Sequence, residues 1–181
     1  MPQMQPIYDP EFVKPLREEL VTVGCEELVT PEDVDAALGQ TEGTALLVVN
    51  SICGCAAGSA RPGVMLALQH DVIPDKLVTV FAGQDREATE KAREYIVGYP
   101  PSSPCIVVFK DGKVAGIIER QQIEGRSPVE IAEALKGAFS EFCSRPGPSI
   151  PKEEFEKIVP QQSCGSQTPL FPGSVAPENL G

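Results

Sequence analysis

Apolar positions recur at helical spacing in four stretches whose ends are marked by turn chemistry. Asp9-Pro10 opens the first, with Val13, Leu16 and Leu20 on a common face and Gly24 placed to close it. Thr30-Pro31 repeats the opening ahead of Val34 and Leu38, with Gly39 after them. A third helix is expected from Asp85, carrying Ala88, Ala92, Tyr95 and Ile96 before Gly98. The last is the most fully signalled: Ser127 caps, Pro128 takes the first turn, Glu130 completes a capping box, and Ile131, Leu135, Phe139 and Phe142 form the stripe.

Between these lie short apolar runs rich in β-branched residues, at 45–49, 77–81 and 105–109, the first two reading as strands buried on both faces. Asp111-Gly112 is a two-residue hairpin signal that joins the third run to a further strand at 114–118, so these two should be antiparallel neighbours. Alternating strands and helices predict an α/β sheet whose early strands run parallel, with an antiparallel hairpin at its edge and an extra N-terminal helix. At 181 residues the chain accommodates one such domain plus an appendage. The expected domain is 1–144. From 145 onward Pro146, Pro148, Pro151, Pro160, Pro169, Pro172 and Pro177 interrupt every helix except one near 152–159, and 145–181 is expected to form a Pro/Gly-rich flexible tail.

Charge and composition narrow the function. The formal net charge of −11 repels nucleic acid and anionic lipid, so neither is expected as a partner. No basic-then-apolar leader opens the chain and no apolar run is long enough to span a bilayer, which predicts a cytoplasmic protein. In a reducing compartment, cysteines serve catalysis, metal binding or plain packing rather than structural disulfides. Four of the six, Cys25, Cys105, Cys143 and Cys164, are scattered singly; Cys53 and Cys55 form the local pair.

The pair follows the strand at 45–49 and precedes a helix expected over 56–70, which puts its thiols at a helix N-terminus. There, unpaired N–H groups and the helix dipole stabilise a thiolate. Cys53, the more N-terminal, is the expected nucleophile. Gly54 leaves the sulfur approachable and allows a tight turn. A disulfide across one intervening residue would close a strained ring, better suited to exchange or isomerisation than to storage. The competing readings are chance burial and a metal site. No metal ligand is assigned: the only His is His70, near the far end of the same helix, and no second cysteine pair exists, leaving Cu(I) or an iron–sulfur cluster shared between two copies as the forms a metal or cluster carrier would take.

Other residues near the pair are less specific. Pro62 should kink the helix beyond the cysteines. Arg61 is either a positive charge near the thiolate or a solvated surface arginine. Ser103-Pro104, just before a buried strand, is a candidate cis peptide bond, with a trans proline at a strand edge as the alternative. Cys105 is expected to be a buried, inert thiol. His70 is expected to be a polar residue at a helix end. Asp85, in a Gly83-Gln84-Asp85 loop at the same sheet edge as Cys53, is expected to cap its helix.

The stretch Val48-Val49-Asn50-Ser51-Ile52-Cys53-Gly54-Cys55-Ala56-Ala57-Gly58, with Ala60-Arg61-Pro62, resembles the bacilliredoxin family. The likeness continues through Val80-Phe81-Ala82-Gly83-Gln84-Asp85, Glu87-Ala88-Thr89, Pro101-Ser102-Ser103-Pro104 and Arg120 with Ile123-Glu124-Gly125, covering roughly 12–143. The resemblance implies a thioredoxin-like three-layer sandwich, in which a cis-proline at the place of Pro104 faces the redox cysteines and the backbone before it, at Ser103, pairs with substrate. It implies removal of bacillithiol from S-bacillithiolated cytosolic proteins, with bacillithiol as co-substrate and no bound cofactor, and also disulfide isomerase activity. Cys53 would attack the mixed disulfide, and Cys55 would be the second cysteine. Cys105 and the tail with Cys164 depart from the family pattern and leave the resolving thiol open. A flexible tail would let Cys164 reach Cys53 as an additional resolving thiol, against the plainer reading of a spectator.

Overall fold

A computed structural model of the chain describes residues 3–158. The helices begin where their caps stand. In α1 (Pro10–Thr22) the Asp9 carboxylate accepts from the Glu11 N–H, and in α2 (Pro31–Leu38) Thr30 and Asp33 form a reciprocal capping box. Between them a short strand, β1 (Glu26–Glu27), lies at the sheet edge, where two acidic residues gave no apolar signal.

Strand β2 (Thr44–Asn50) is buried along its whole length, as its apolar run predicts. The chain then turns into a helix whose first part, residues Ala56–Ala60, has π geometry and whose second, α3 (Arg61–Ala67), is regular. The Arg61 N–H reaches the Ala56 carbonyl across this wide turn, and Pro62 sits in the first turn of the regular part. The expected single kinked helix over 56–70 is therefore a π segment joined to a shorter α-helix, and the wide turn falls directly ahead of Pro62, which cannot donate an N–H to the preceding turn.

Strands β3 (Val72–Ile73) and β4 (Lys76–Phe81) follow, then α4 (Arg86–Tyr95). Strands β5 (Cys105–Lys110) and β6 (Lys113–Ile118) form the expected hairpin; Asp111 and Gly112 both take positive φ, 52° and 79°, as a tight primed turn requires. A one-turn helix α5 (Arg120–Ile123) precedes α6 (Pro128–Phe142), whose Ser127/Glu130 capping box is in place.

The central sheet has the order β1-β4-β2-β5-β6. β4 runs parallel to β1 and β2, and β5 antiparallel to β2 and β6. Alternate residues of β2 serve the two faces. Leu46 and Val48 join α1, α3 and α6 in one core; Ala45, Leu47 and Val49 join α2 and α4 in the other. This is the expected thioredoxin-like three-layer α/β sandwich. α3 packs closely on α6: a Cβ at Gly63 would lie 2.6 Å from Ile131 Cβ, so only glycine permits the approach.

The stretch 145–158, expected to belong to the tail, is docked on the body. β7 (Arg145–Pro146) pairs antiparallel with β3, the Ser149 hydroxyl donates to the Val23 carbonyl at 2.6 Å, and Ile150, Phe155 and Ile158 pack on the core beside α7 (Lys152–Glu156). Gly147 belongs to this contact, because a Cβ there would collide with the His70 carbonyl. The prolines that interrupt long helices here do not prevent a short strand and a single helical turn from docking.

Candidate functional site

Cys53 lies where β2 has ended and the helix has not yet begun. Its carbonyl accepts from the Ala56 and Ala57 N–H groups at 3.1 and 3.2 Å, so it occupies the helix N-cap and its side chain faces the free N–H end. Cys53 and Cys55 are free, half-buried thiols, and Gly54 between them is exposed. No heavy atom lies within 4 Å of where a Gly54 Cβ would stand, so the approach over this residue is open.

The other expected site residues converge on the same edge. β5 runs antiparallel to β2 with Cys105 opposite Val49, which brings Ser103 and Pro104 alongside the chain leaving β2 toward Cys53. The Ser103-Pro104 bond is cis, as anticipated; a second cis bond at Gly147-Pro148 was not. Arg120, the first residue of α5, links the two halves: its Nη1 donates to the Ser103 carbonyl at 3.2 Å, its Nε to Glu124 at 2.9 Å, and its charge faces Cys53. Sequence reasoning assigned Arg120 no role. The resemblance includes it, but only the fold brings it to the cysteine.

The two thiols are driven apart in acidity. Partial burial pushes Cys53 up, yet the Ser51 hydroxyl, the Ala56 N–H, the Arg120 charge and the Cys55 N–H outweigh it and bring the thiol below its ordinary value. Cys55 moves the other way. Burial raises it first, then the negative charges of Cys53 and Glu124, with Arg120 only partly compensating; hydrogen bonding to Cys53 raises it further. The site therefore sets a more acidic thiol, Cys53, beside a less acidic one, Cys55.

Below this surface is a buried polar network. Arg61 is neither the surface arginine nor the thiolate's counter-charge that its sequence position allowed. It is fully buried, its Nε 2.7 Å from the Glu19 carboxylate, and its Nη1 donates to Asn50 Oδ1 at 3.0 Å and to the Ser51 carbonyl at 2.8 Å. Asp85 also departs from expectation: its side chain makes no cap, because both oxygens hold Arg17 at 2.6 and 2.7 Å, with Arg17 lying over the Phe81 ring. A stronger partner from α1, remote in sequence, outcompetes the local N–H groups.

The remaining described cysteines stand apart. Cys105 points into the core shared with α2 and α4, and burial pushes its thiol up to about 11. Cys25 is buried and pushed up to about 12. Cys143 is raised by burial and interacts with Thr44, at the end of β2 remote from Cys53, roughly 20 Å away at strand rise. His70 Nε2 pairs with the Ser140 hydroxyl at 2.8 Å, bridging the end of α3 to α6 as a structural polar contact. Cys164 lies outside the described residues. Among the described residues no three His, Cys, Asp or Glu side chains group so as to hold a metal ion, and no helix is long and apolar enough to cross a membrane.

A thioredoxin-like sheet with a cysteine pair at a helix N-terminus defines the class of thiol–disulfide redox proteins. The disulphide isomerase family model matches residues 8–143. A bacilliredoxin of Geobacillus kaustophilus is 52% identical over 138 residues, covering 76% of this chain and 94% of the relative. A bacilliredoxin of Staphylococcus aureus is 50% identical over 137 residues, with the same coverage of 76% and 94%. The chain belongs to the bacilliredoxin family, and its role is one of thiol–disulfide redox chemistry.

Proposed function

We propose that the protein is a cytoplasmic thiol–disulfide oxidoreductase that reduces mixed disulfides between protein cysteines and bacillithiol, with Cys53 as the nucleophile. The observation that carries this reading is the opposed tuning of the pair: a lowered Cys53 thiol at the helix N-cap beside a raised Cys55 thiol. The Cys53 thiolate attacks the bacillithiol sulfur of the substrate. A Cys53–bacillithiol disulfide forms, the substrate disulfide breaks, and the protein cysteine leaves as a thiolate that takes a proton from water. Exposed Gly54 leaves this approach open, and Ser103 and Pro104 flank it, offering backbone to an extended substrate segment.

A second thiol completes the cycle. Cys55, once deprotonated, attacks the Cys53 sulfur, bacillithiol departs, and a Cys53–Cys55 disulfide remains to be reduced by an external thiol. Alternatively external bacillithiol attacks the adduct and Cys53 leaves. Disulfide isomerisation uses the same first step with a protein disulfide as the target. Arg120 holds positive charge beside the reacting sulfur throughout.

The test is mass spectrometry after challenge with an S-bacillithiolated protein. Cys53→Ser should release no bacillithiol, and Cys55→Ser should accumulate bacillithiol on Cys53. Bacillithiol on Cys55 in the Cys53→Ser variant, or full turnover by that variant, overturns the assignment. Equal turnover of glutathione or coenzyme A mixed disulfides would remove bacillithiol as the specific co-substrate.

A further inference from the structure

We propose that Ser51 is a catalytic residue of this site, its hydroxyl donating to the Cys53 sulfur and carrying part of the negative charge before attack and again whenever Cys53 departs. This rests on Cys53 being the nucleophile. Ser51 Oγ lies 3.1 Å from Cys53 Sγ, and the Cys53 N–H donates to the same Oγ at 3.2 Å. A hydroxyl has one proton and two lone pairs; with a lone pair taken by the Cys53 N–H, its proton is directed at the sulfur. Ser51 is only 7% exposed, so bulk water does not compete freely for the hydroxyl, and a donor aimed at a charge from a water-poor position is worth more than one in solvent.

The hydroxyl is held in place from beneath. The Ser51 N–H donates to Asn50 Oδ1 at 2.9 Å and its carbonyl accepts from Arg61 at 2.8 Å, so both peptide groups of Ser51 are gripped. Asn50 is itself tied to α1 through its Nδ2, 3.2 Å from the Leu16 carbonyl, and Arg61 is tied to Glu19. Asn50, Arg61 and Glu19 are thus positioning residues for Ser51: hydrogen bonds run from a buried ion pair to both peptide groups of Ser51, and its side chain carries the hydroxyl to the reacting sulfur. In the forward step charge leaves Cys53 for the departing protein thiolate, and the Ser51 bond weakens to a neutral one. When an external thiolate attacks the small-thiol sulfur of the adduct, the adduct disulfide breaks, a new disulfide joins the two small thiols, and Cys53 leaves as a thiolate onto the same hydroxyl.

The experiment is the pH profile of Cys53 alkylation by iodoacetamide in the Cys55→Ser background, for the parent, Ser51→Ala and Ser51→Thr, with thermal melting of each. Ser51→Ala should move the midpoint up by about one pH unit and slow the acid limb about tenfold, with the alkaline plateau kept or slightly raised, because a more basic thiolate is the better nucleophile. Ser51→Thr, which keeps the hydroxyl, should restore the profile. If threonine does not fit the buried position, the midpoint of ultraviolet thiolate absorbance in Ser51→Ala against the parent decides alone. A Ser51→Ala profile that superimposes on the parent overturns the proposal, as does an equal loss in acid limb and plateau, which would mark altered access. Alkylation needs no bacillithiol, so an inactive protein with the expected Ser51 effect would refute the substrate and leave this inference standing.

Discussion

Arg61→Met removes a guanidinium from a site where it is 0% exposed and its Glu19 partner 4% exposed. Three acceptors lose a donor at once: the Glu19 carboxylate, Asn50 Oδ1 and the Ser51 carbonyl. Methionine replaces the apolar stem but none of the donors. Breaking one side of a buried ion pair costs about 3–5 kcal/mol, because the remaining charge was desolvated on folding and keeps that penalty. Against a typical stability of about 5–15 kcal/mol this is a large fraction, and it corresponds to a melting temperature lower by roughly 6–20 °C for a domain of this size. Glu19→Leu combined with Arg61→Met should recover most of the loss, since the buried charge is gone from both sides. The double variant should nevertheless keep a slow acid limb in Cys53 alkylation, because the Ser51 carbonyl still lacks its donor. Urea unfolding with linear extrapolation gives the energies, and the alkylation profile gives the site. A loss below about 1 kcal/mol in Arg61→Met would refute the burial argument, and full Cys53 reactivity in the stable double variant would refute the positioning role.

Further outcomes follow from the same geometry. Arg120→Gln should raise the pH midpoint of Cys53 alkylation, with a smaller effect at high salt because Arg120 is exposed to solvent; Arg120→Lys should lie between, and a salt-independent change would exclude charge as the cause. Gly63→Ala should destabilise by about 1–3 kcal/mol, since the new Cβ would need to stand 2.6 Å from Ile131, and thermal melting measures it. Cys25 and Cys105 keep their protons in the fold up to about 12 and 11, whereas in the unfolded chain they ionise near 9.0. Their contribution to stability is therefore complete below pH 9 and is lost as pH climbs through 11 and 12; urea midpoints at alkaline pH should fall, and less steeply in Cys25→Ala.

Much of this molecule is written in short stretches of chain. Asp9-Pro10, Thr30-Pro31 and Ser127-Pro128 start helices because a capping oxygen and the N–H groups it satisfies are two or three residues apart, and the Asp111-Gly112 turn works for the same local reason. The double-sided apolar run of β2, followed by Cys53-Gly54-Cys55 and a helix, was enough to place the thiols at a helix N-terminus. β1, β3 and β7 escaped notice because each is a two-residue strand that exists only through its partner: Glu26 pairs with Val78, and Ile73 with Arg145. The docking of 145–158 was hidden for a related reason, since proline content reports on helix continuity and not on whether Ile150 and Phe155 find a groove in the core. Arg61 could be read from its neighbours only as exposed or as a thiolate partner; its true surroundings are Glu19, 42 positions earlier, and the loop above it. Asp85 looked like a cap until Arg17, 68 positions away, claimed its carboxylate. Local patterns specify which segments are helix or strand, and so where the cysteines stand. Which charge faces Cys53, which hydroxyl meets it and which ion pair lies buried beneath are settled by contacts between segments far apart in the chain, where packing and desolvation, not spacing, choose the partners.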